Sequence, residues 1–378
     1  MITILDVLFN PNSPVMWIMI IAIIGGALAI IIRPFVTFAK FTYPNAKFES
    51  IGNPFVKENN LQRFLEFSDL QQFIDQLNAN KDYQISQTTA SDIQTALDNQ
   101  FVQTIHMMKQ DSTKKMHSFY ESYLQLLDAN LLKTAFKQFA SNQQIDEQLA
   151  EQAVSENIKK QLLIIAKTEP EKMSSVLHQF AYPIQIQDLL SEKDEFSSFI
   201  LDAAIDKLLL NQLQQTKVPY KCAKAKEMYI KRLIDTRTIK HILRAKNVGY
   251  DSEQCKQLLI GEGYELALWK QEELCNAENI KEVISKLEGT KYYSSLKKIL
   301  DSNLNSQSIQ SFTDAIDCYW LEIVRNLSTS FYTTIGPSIR FLEYKKIEIR
   351  NLKIITKGIA EHIPSKLISA LLITEDAS

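Results

Sequence analysis

Glycine and proline are scarce, at nine and ten in 378 residues. Turn-rich β architectures draw heavily on both, and phosphate-cradling loops need glycine, so neither is expected. The four cysteines (Cys222, Cys255, Cys275, Cys318) are far apart and form no C-x-x-C pair. The five histidines (His106, His117, His178, His241, His362) are equally scattered. Disulfide frameworks and zinc sites require clustered spacing, so reduced thiols and no metal are expected. Charge of one sign is also lacking: 42 Lys and Arg stand against 44 Asp and Glu. General nucleic-acid binding depends on a strong basic excess, so the balance argues against that class. Neither G-x-x-x-x-G-K-[ST], G-x-S-x-G nor H-E-x-x-H occurs, which removes the familiar catalytic signatures. The nearest glycine pair, Gly261 and Gly263, has Leu266 where a dinucleotide fingerprint needs its third glycine. No enzyme, cofactor or small-molecule substrate is expected.

What is present is an ordinary globular mixture, 45% hydrophobic and 23% charged, in helical rather than alternating periods. The first forty residues differ. Val15 to Ile32 is an unbroken apolar run of 18 residues, ten of them Ile, Val or Leu. As a helix it rises about 27 Å, close to the hydrocarbon thickness of a bilayer. A secretory signal would begin with basic residues and end at a small-residue cleavage site. This segment is preceded by Asp6 and followed by Arg33 and Lys40. Basic residues after the span keep that side cytoplasmic. The reading is an extracytoplasmic N-terminus over 1–14, a single transmembrane helix over 15–33 in the lipid bilayer of the cell membrane, and a large cytoplasmic part. Trp17 suits an interfacial position. Ala22 and Gly26, with Gly25 and Ala29, form small-x-x-x-small pairs that permit close helix approach.

Beyond residue 40 the chain repeats itself at a period slightly above 100 residues. Leu70, Phe73, Ile74 and Leu77 lie at helical offsets, as do Met173, Val176, Leu177 and Phe180, and Ile280, Val283, Ile284 and Leu287. A tyrosine follows each: Tyr83, Tyr182, Tyr292. The first helix opens with a capping-box pattern at Ser68 to Gln71, and the second has Pro170 near its first turn. A second element recurs at 126–137, 233–244 and 346–357. An acid holds offset 0 (Asp128, Asp235, Glu348), an aliphatic residue offset 4 (Leu132, Ile239, Leu352), lysine offset 5 (Lys133, Lys240, Lys353) and a basic residue offset 9 (Lys137, Arg244, Lys357). The two elements recur in one order, which predicts three homologous all-helical domains over 41–140, 141–247 and 248–372.

Offsets 5 and 9 share one helix face, so each domain presents a short basic stripe. Arranged around a pseudo-threefold axis, the stripes can face one shared cavity; the alternative is three solvated helix faces. Ten Lys or Arg between Lys217 and Lys246, opposed only by Glu227 and Asp235, favour a charged partner surface. Nucleic acid ranks low, with no zinc knuckle or stacked aromatic series beside the patch.

Several strings resemble the rotary-ATPase connector family, which supplies the C subunit of archaeal-type ATP synthases and the d subunit of vacuolar ATPases. F-T-Y-P-N-A-K-F-E-S (41–50) is similar to its opening segment, and the segment from Leu61 to Tyr83 continues the likeness. R-L-I-D-T-R-T-I-K-H-I-L-R-A-K (232–246) is similar to a central segment, although Thr238 stands where the family usually has Asn. D-C-Y-W (317–320) and G-P-S-I-R-F-L-E-Y-K-K-I-E-I-R-N-L-K (336–353) resemble the closing segment. The family is normally soluble, so the apolar N-terminal helix is an addition.

The resemblance implies an all-α funnel of three similar domains seated on a membrane proteolipid ring and receiving a central shaft, without catalysis of its own. The expected shaft-binding residues are Lys133, Lys137, Arg237, Lys240, Arg244, Arg350, Lys353 and Lys357. The competing reading is a membrane-anchored helical adaptor or scaffold unrelated to rotary motors.

Overall fold

The computed structural model describes residues 11–12, 14–191, 196–301 and 308–375, and among them there is no strand. The first helix, α1 (Pro14–Ile51), runs unbroken for 38 residues, about 57 Å at the usual rise. Its apolar N-terminal part touches little of the chain; Ile18, Ile21 and Ile30 are 67%, 67% and 75% exposed. Farther along, Thr37, Phe41, Pro44, Asn45 and Phe48 are buried against the body. The expected segment 1–14 lies outside the described residues except for Pro11, Asn12 and Pro14.

Next come a 3-10 turn at Pro54–Val56 and the short helices α2 (Glu58–Phe64) and α3 (Leu70–Asn78). α3 buries Phe73, Ile74 and Leu77, as its spacing predicts. Its N-cap is Asp69 without a side-chain bond, so the expected capping box does not form. A long hairpin follows, α4 (Ala90–Asp111) returning through α5 (His117–Leu127) and α6 (Ala129–Ala140). The pattern then recurs. Short helices α7 (Gln148–Gln152), α8 (Glu156–Ala166), α9 (Met173–Gln179) and α10 (Ile184–Ser191) precede the hairpin α11 (Ser198–Gln215) and α12 (Ala223–Asn247). It recurs again as α13 (Ser252–Lys256), α14 (Leu268–Cys275), α15 (Ile280–Lys286) and α16 (Tyr292–Asp301). The last hairpin is α17 (Ile309–Ser330) and α18 (Gly336–Ala360), before the terminal turn α19 (Ser365–Ser369).

The hairpins pack in a closed cycle. α5 and α6 lie on α11, α12 lies on α17, and α18 returns to lie on α4. One buried apolar cluster fills the interior, from Phe41 on α1 to Ile373 near the end of the chain. The short-helix groups dock one step back around this cycle. The second group rests on α6, the third on α12, and the first on α18, at the far end of the sequence. Long-range docking of this kind joins the first and last segments, so neither end of the cycle is left open.

Candidate functional site: helix faces and the base of the apolar helix

The three offset-0 acids are buried, and each secures a short-helix group. Asp128 accepts the backbone N–H groups of Val154 and Ser155 at 3.1 and 2.8 Å. Asp235 accepts those of Tyr264, Glu265 and Leu266, and the Tyr292 hydroxyl at 3.3 Å. Glu348 accepts the N–H of Phe55, the Tyr83 hydroxyl and the Lys345 ammonium. Two of the three repeated tyrosines thus bind a repeated acid. Tyr182 differs, donating to Gln161 at 2.5 Å. Burial pushes Asp128 and Asp235 up to about 6 despite the opposing N–H donors. The loop after Gly263 thus wraps the protein's own Asp235 carboxyl with the N–H groups of Tyr264, Glu265 and Leu266. A Cβ at Gly263 would lie 1.7 Å from Asp235 Oδ1, so only glycine lets the loop close.

The repeated lysines at offset 5 join neighbouring hairpins. Lys133 pairs with Asp206 on α11 at 2.8 Å, Lys240 with Asp317 on α17 at 2.5 Å, and Lys353 with Asp98 on α4 at 2.5 Å. Asp206 also receives Arg237 at 2.8 Å and His241 at 3.1 Å. Burial pushes its carboxyl up, but Arg237, the His241 hydrogen bond and Lys133 outweigh burial and hold it well below the usual range.

The remaining expected contacts lie nearby. Lys137 pairs with Asp202 at 2.7 Å, Arg350 with Asp314 at 3.0 Å, and Lys357 with Glu361 at 3.8 Å. Arg244 is exposed, and among the described residues no carboxylate lies within ion-pair distance of it. Lys137, Arg244 and Lys357 each lie 20 or 21 residues past the start of their returning helices, about 30 Å from the hairpin turns. They share the end of the body opposite those turns.

The dense basic segment divides among three environments. Lys226 is buried and bonds the carbonyls of Gln214 and Thr216. Arg232 pairs with Glu265, and Arg237 and Lys240 are paired as above. Lys217, Lys221 and Lys224 are exposed around the α11–α12 turn. Thr238 is fully buried, and its hydroxyl has no hydrogen-bond partner among the described residues.

Sequence reading missed the carboxylate where the hairpins converge. Glu343 on α18 is 1% exposed and accepts from Tyr123 at 3.0 Å, Tyr229 at 2.6 Å and Trp320 Nε1 at 3.0 Å. Burial pushes Glu343 up, but Lys346 and the three donors together hold it below the ordinary range. A lone Glu on a helix carries no sequence signal for this role.

All three hairpin turns gather about α1. Asn45 donates to the carbonyls of Tyr332 and Thr334 in the α17–α18 turn at 3.0 and 2.9 Å. Lys47 pairs with Asp111 at the end of α4 at 2.7 Å. Arg33 stacks over the Tyr220 ring in the α11–α12 turn, 4.3 Å from its centroid. The apolar part of α1 is the one described helix long and apolar enough to cross a membrane. Trp17 donates to the Pro11 carbonyl at 2.9 Å near its N-terminal end. Ala22, Gly25, Gly26 and Ala29 are exposed, and a Cβ at either glycine would meet nothing within 4 Å.

The strings that resemble a family therefore carry assembly contacts. Asn45 and Lys47 fasten α1. Asp317 and Trp320 join hairpins, Glu348 holds the first group, and Asn351 bonds Phe55 and Ile373. No group of three or more His, Cys, Asp or Glu suited to a metal occurs among the described residues.

Residues 44–371 match the family described as ATP synthase (C/AC39) subunit. Among similar proteins is the C subunit of the A-type ATP synthase of Methanothermobacter thermautotrophicus, 25% identical over 93% of this chain and 92% of its own. That of Methanobrevibacter smithii is 26% identical over 97% of both chains. That of Methanocaldococcus jannaschii is 35% identical over 50% of this chain and 48% of its own. The match with the M. smithii protein spans too much to leave the 18-residue apolar run wholly outside it. An unrelated adaptor does not account for a family match of this extent. The chain belongs to the ATP synthase (C/AC39) subunit family and is a non-catalytic subunit of a rotary ATP synthase.

Proposed function

We propose that the chain is the central-stalk connector of its rotary ATP synthase, passing torque between a soluble shaft and a membrane proteolipid ring. The observation that carries this is the closed cycle of hairpins with α1 clasped among all three turns. A body that transmits torque has to turn as one piece, and a closed cycle has no free edge at which to shear.

In this reading 41–140, 141–247 and 248–372 are three similar units of a funnel. Each short-helix group docks on the hairpin of the preceding unit, and the first closes on the third. The shaft enters at the end remote from the turns, where Lys137, Arg244 and Lys357 lie and Lys133, Arg237, Lys240, Arg350 and Lys353 stand behind them. α1 crosses the membrane once, with Arg33 and Lys40 on the cytoplasmic side. Because the turns surround its base, α1 lies near the rotor axis, inside the ring. A rotor-fixed helix outside the ring would sweep into the stator.

The test uses the intact complex in native membranes. Cysteines at Ile21 and Leu28 should crosslink to lumen-facing residues of the ring, and Arg244→Glu should speed shaft dissociation while thermal stability is unchanged. Failure to co-purify with the shaft and the ring would overturn the connector role. Crosslinks to stator alone would overturn the axial placement.

A further inference from the structure

The cations of this protein fall into two populations. Those on the hairpin faces are largely satisfied within the chain, as Lys133, Arg237, Lys240 and Lys353 illustrate. Those around the base of α1 are not, apart from Lys47, which pairs with Asp111. A groove there is lined by Arg33, Lys40, Lys114 and Lys115, and by no acidic residue. Lys217, Lys221 and Lys224 are exposed on and beside the adjacent α11–α12 turn. Among the described residues none of these seven has a carboxylate within ion-pair distance, although the chain as a whole is nearly neutral. They come from three segments, α1, the α4–α5 turn and the α11–α12 turn, which only the fold brings together.

Their height matters as much as their charge. Arg33 immediately follows the apolar run, and Lys40 lies seven residues beyond it, about 10 Å along the helix axis. That span crosses the headgroup layer bordering the hydrocarbon core, which is about 5 to 8 Å deep on each side. Exposed Phe35 and Val36, between the two cations, extend the apolar surface into the same layer.

We propose that this basic collar binds anionic phospholipid headgroups, fixing the depth at which the body rides on the membrane. An ammonium or guanidinium facing headgroup phosphates gains a counter-charge that the chain itself withholds, and the gain is largest at low ionic strength. The inference rests on α1 spanning the membrane but needs neither shaft nor ring.

The full chain, purified without its partners, would be reconstituted in nanodiscs of phosphatidylcholine mixed with phosphatidylglycerol. Lipids retained after release into detergent would be counted by native mass spectrometry. Phosphatidylglycerol should be enriched on the order of tenfold over its bulk share at low salt, and less at high salt. Enrichment should vanish in a Lys114→Glu, Lys115→Glu, Lys221→Glu triple variant and persist in Lys160→Glu, which lies outside the collar. Equal retention of both lipids, or enrichment unaffected by the triple change, would overturn the proposal. A chain that enters no nanodisc of either composition would instead refute the spanning helix. Because the three substituted lysines are exposed, the variant's helical circular dichroism should match wild type, and a variant that does not fold would be replaced by the corresponding glutamines.

Discussion

Replacing Asp206 by Asn tests how the cycle is held. The three offset-5 pairs occupy matching places but differ in burial. Side-chain exposures are 14% and 7% for Lys133 and Asp206, 20% and 29% for Lys240 and Asp317, and 32% and 53% for Lys353 and Asp98. Asp206 alone also receives Arg237 and His241, whose side chains are 19% and 12% exposed. Its loss strands two cations and an imidazole in a poorly hydrated place, and breaking such a buried pair costs about 3 kcal/mol. Unfolding entropy per residue makes that about 4 °C in a chain of this length. Exposed pairs contribute about 1 kcal/mol or less, so Asp98→Asn should move the melting temperature by roughly 1 °C. Asp317→Asn should fall between. Asp206 is held below the usual carboxylate range, so its contribution is fully present above about pH 4 and is lost only as pH falls through its depressed value. The order Asp206, Asp317, Asp98 should therefore hold from about pH 5 to 8, measured by scanning fluorimetry in detergent. Adding Lys133→Met to Asp206→Asn should recover part of the loss. Equal shifts for all three, or no recovery, would refute burial as the cause.

Gly263→Ala places a methyl where Asp235 Oδ1 sits, so it should unseat the loop from Asp235 and expose α14 and α15 to faster amide exchange. Protection equal to wild type would show that the loop does not need the glycine. Asp128, raised to about 6 by burial, is protonated in the folded chain before it is in the unfolded one. Its stabilising contribution is complete below about pH 4 and lost as pH rises through about 6. Wild type should thus gain about 1 kcal/mol relative to Asp128→Asn between about pH 7 and pH 5 in denaturant titrations, and a constant difference would contradict this. The purified chain should hydrolyse no ATP in a coupled assay. Saturable turnover would remove it from the role of passive connector.

The repeated acids, lysines and tyrosines were legible because each recurs at one offset within a helix. Their purposes were not, because the partners lie on other elements. Asp98, Asp206 and Asp317 recur at nearly the spacing of Lys133, Lys240 and Lys353, but spacing alone does not show that each lysine pairs with the next unit's acid. The apolar run was plain, yet hydropathy alone does not show that the helix continues to Ile51 through Pro34 and Pro44. Both lie inside α1, where each costs one backbone bond without ending the helix. The basic segment at 217–246 looked like one surface since the sequence cannot say which face of α12 is covered. Burial divides it, with Lys226 and Arg232 each 7% exposed while Lys221 and Lys224 face solvent.

That division suits a body that is to turn as one piece, as the proposed connector is. Ion pairs made within the chain, such as Lys133 with Asp206, rotate with it and need never be broken. They can therefore be partly buried, where one geometry is strongly preferred and exchange is slow. The proposed collar would meet headgroups that diffuse and are interchangeable, so those contacts set depth rather than angle. In the proposed connector the lipid within the ring turns with it, so none of these contacts has to slip. The fixed pairs hold the hairpins in one geometry, whereas the exposed lysines at the base of α1 suit partners of no fixed geometry.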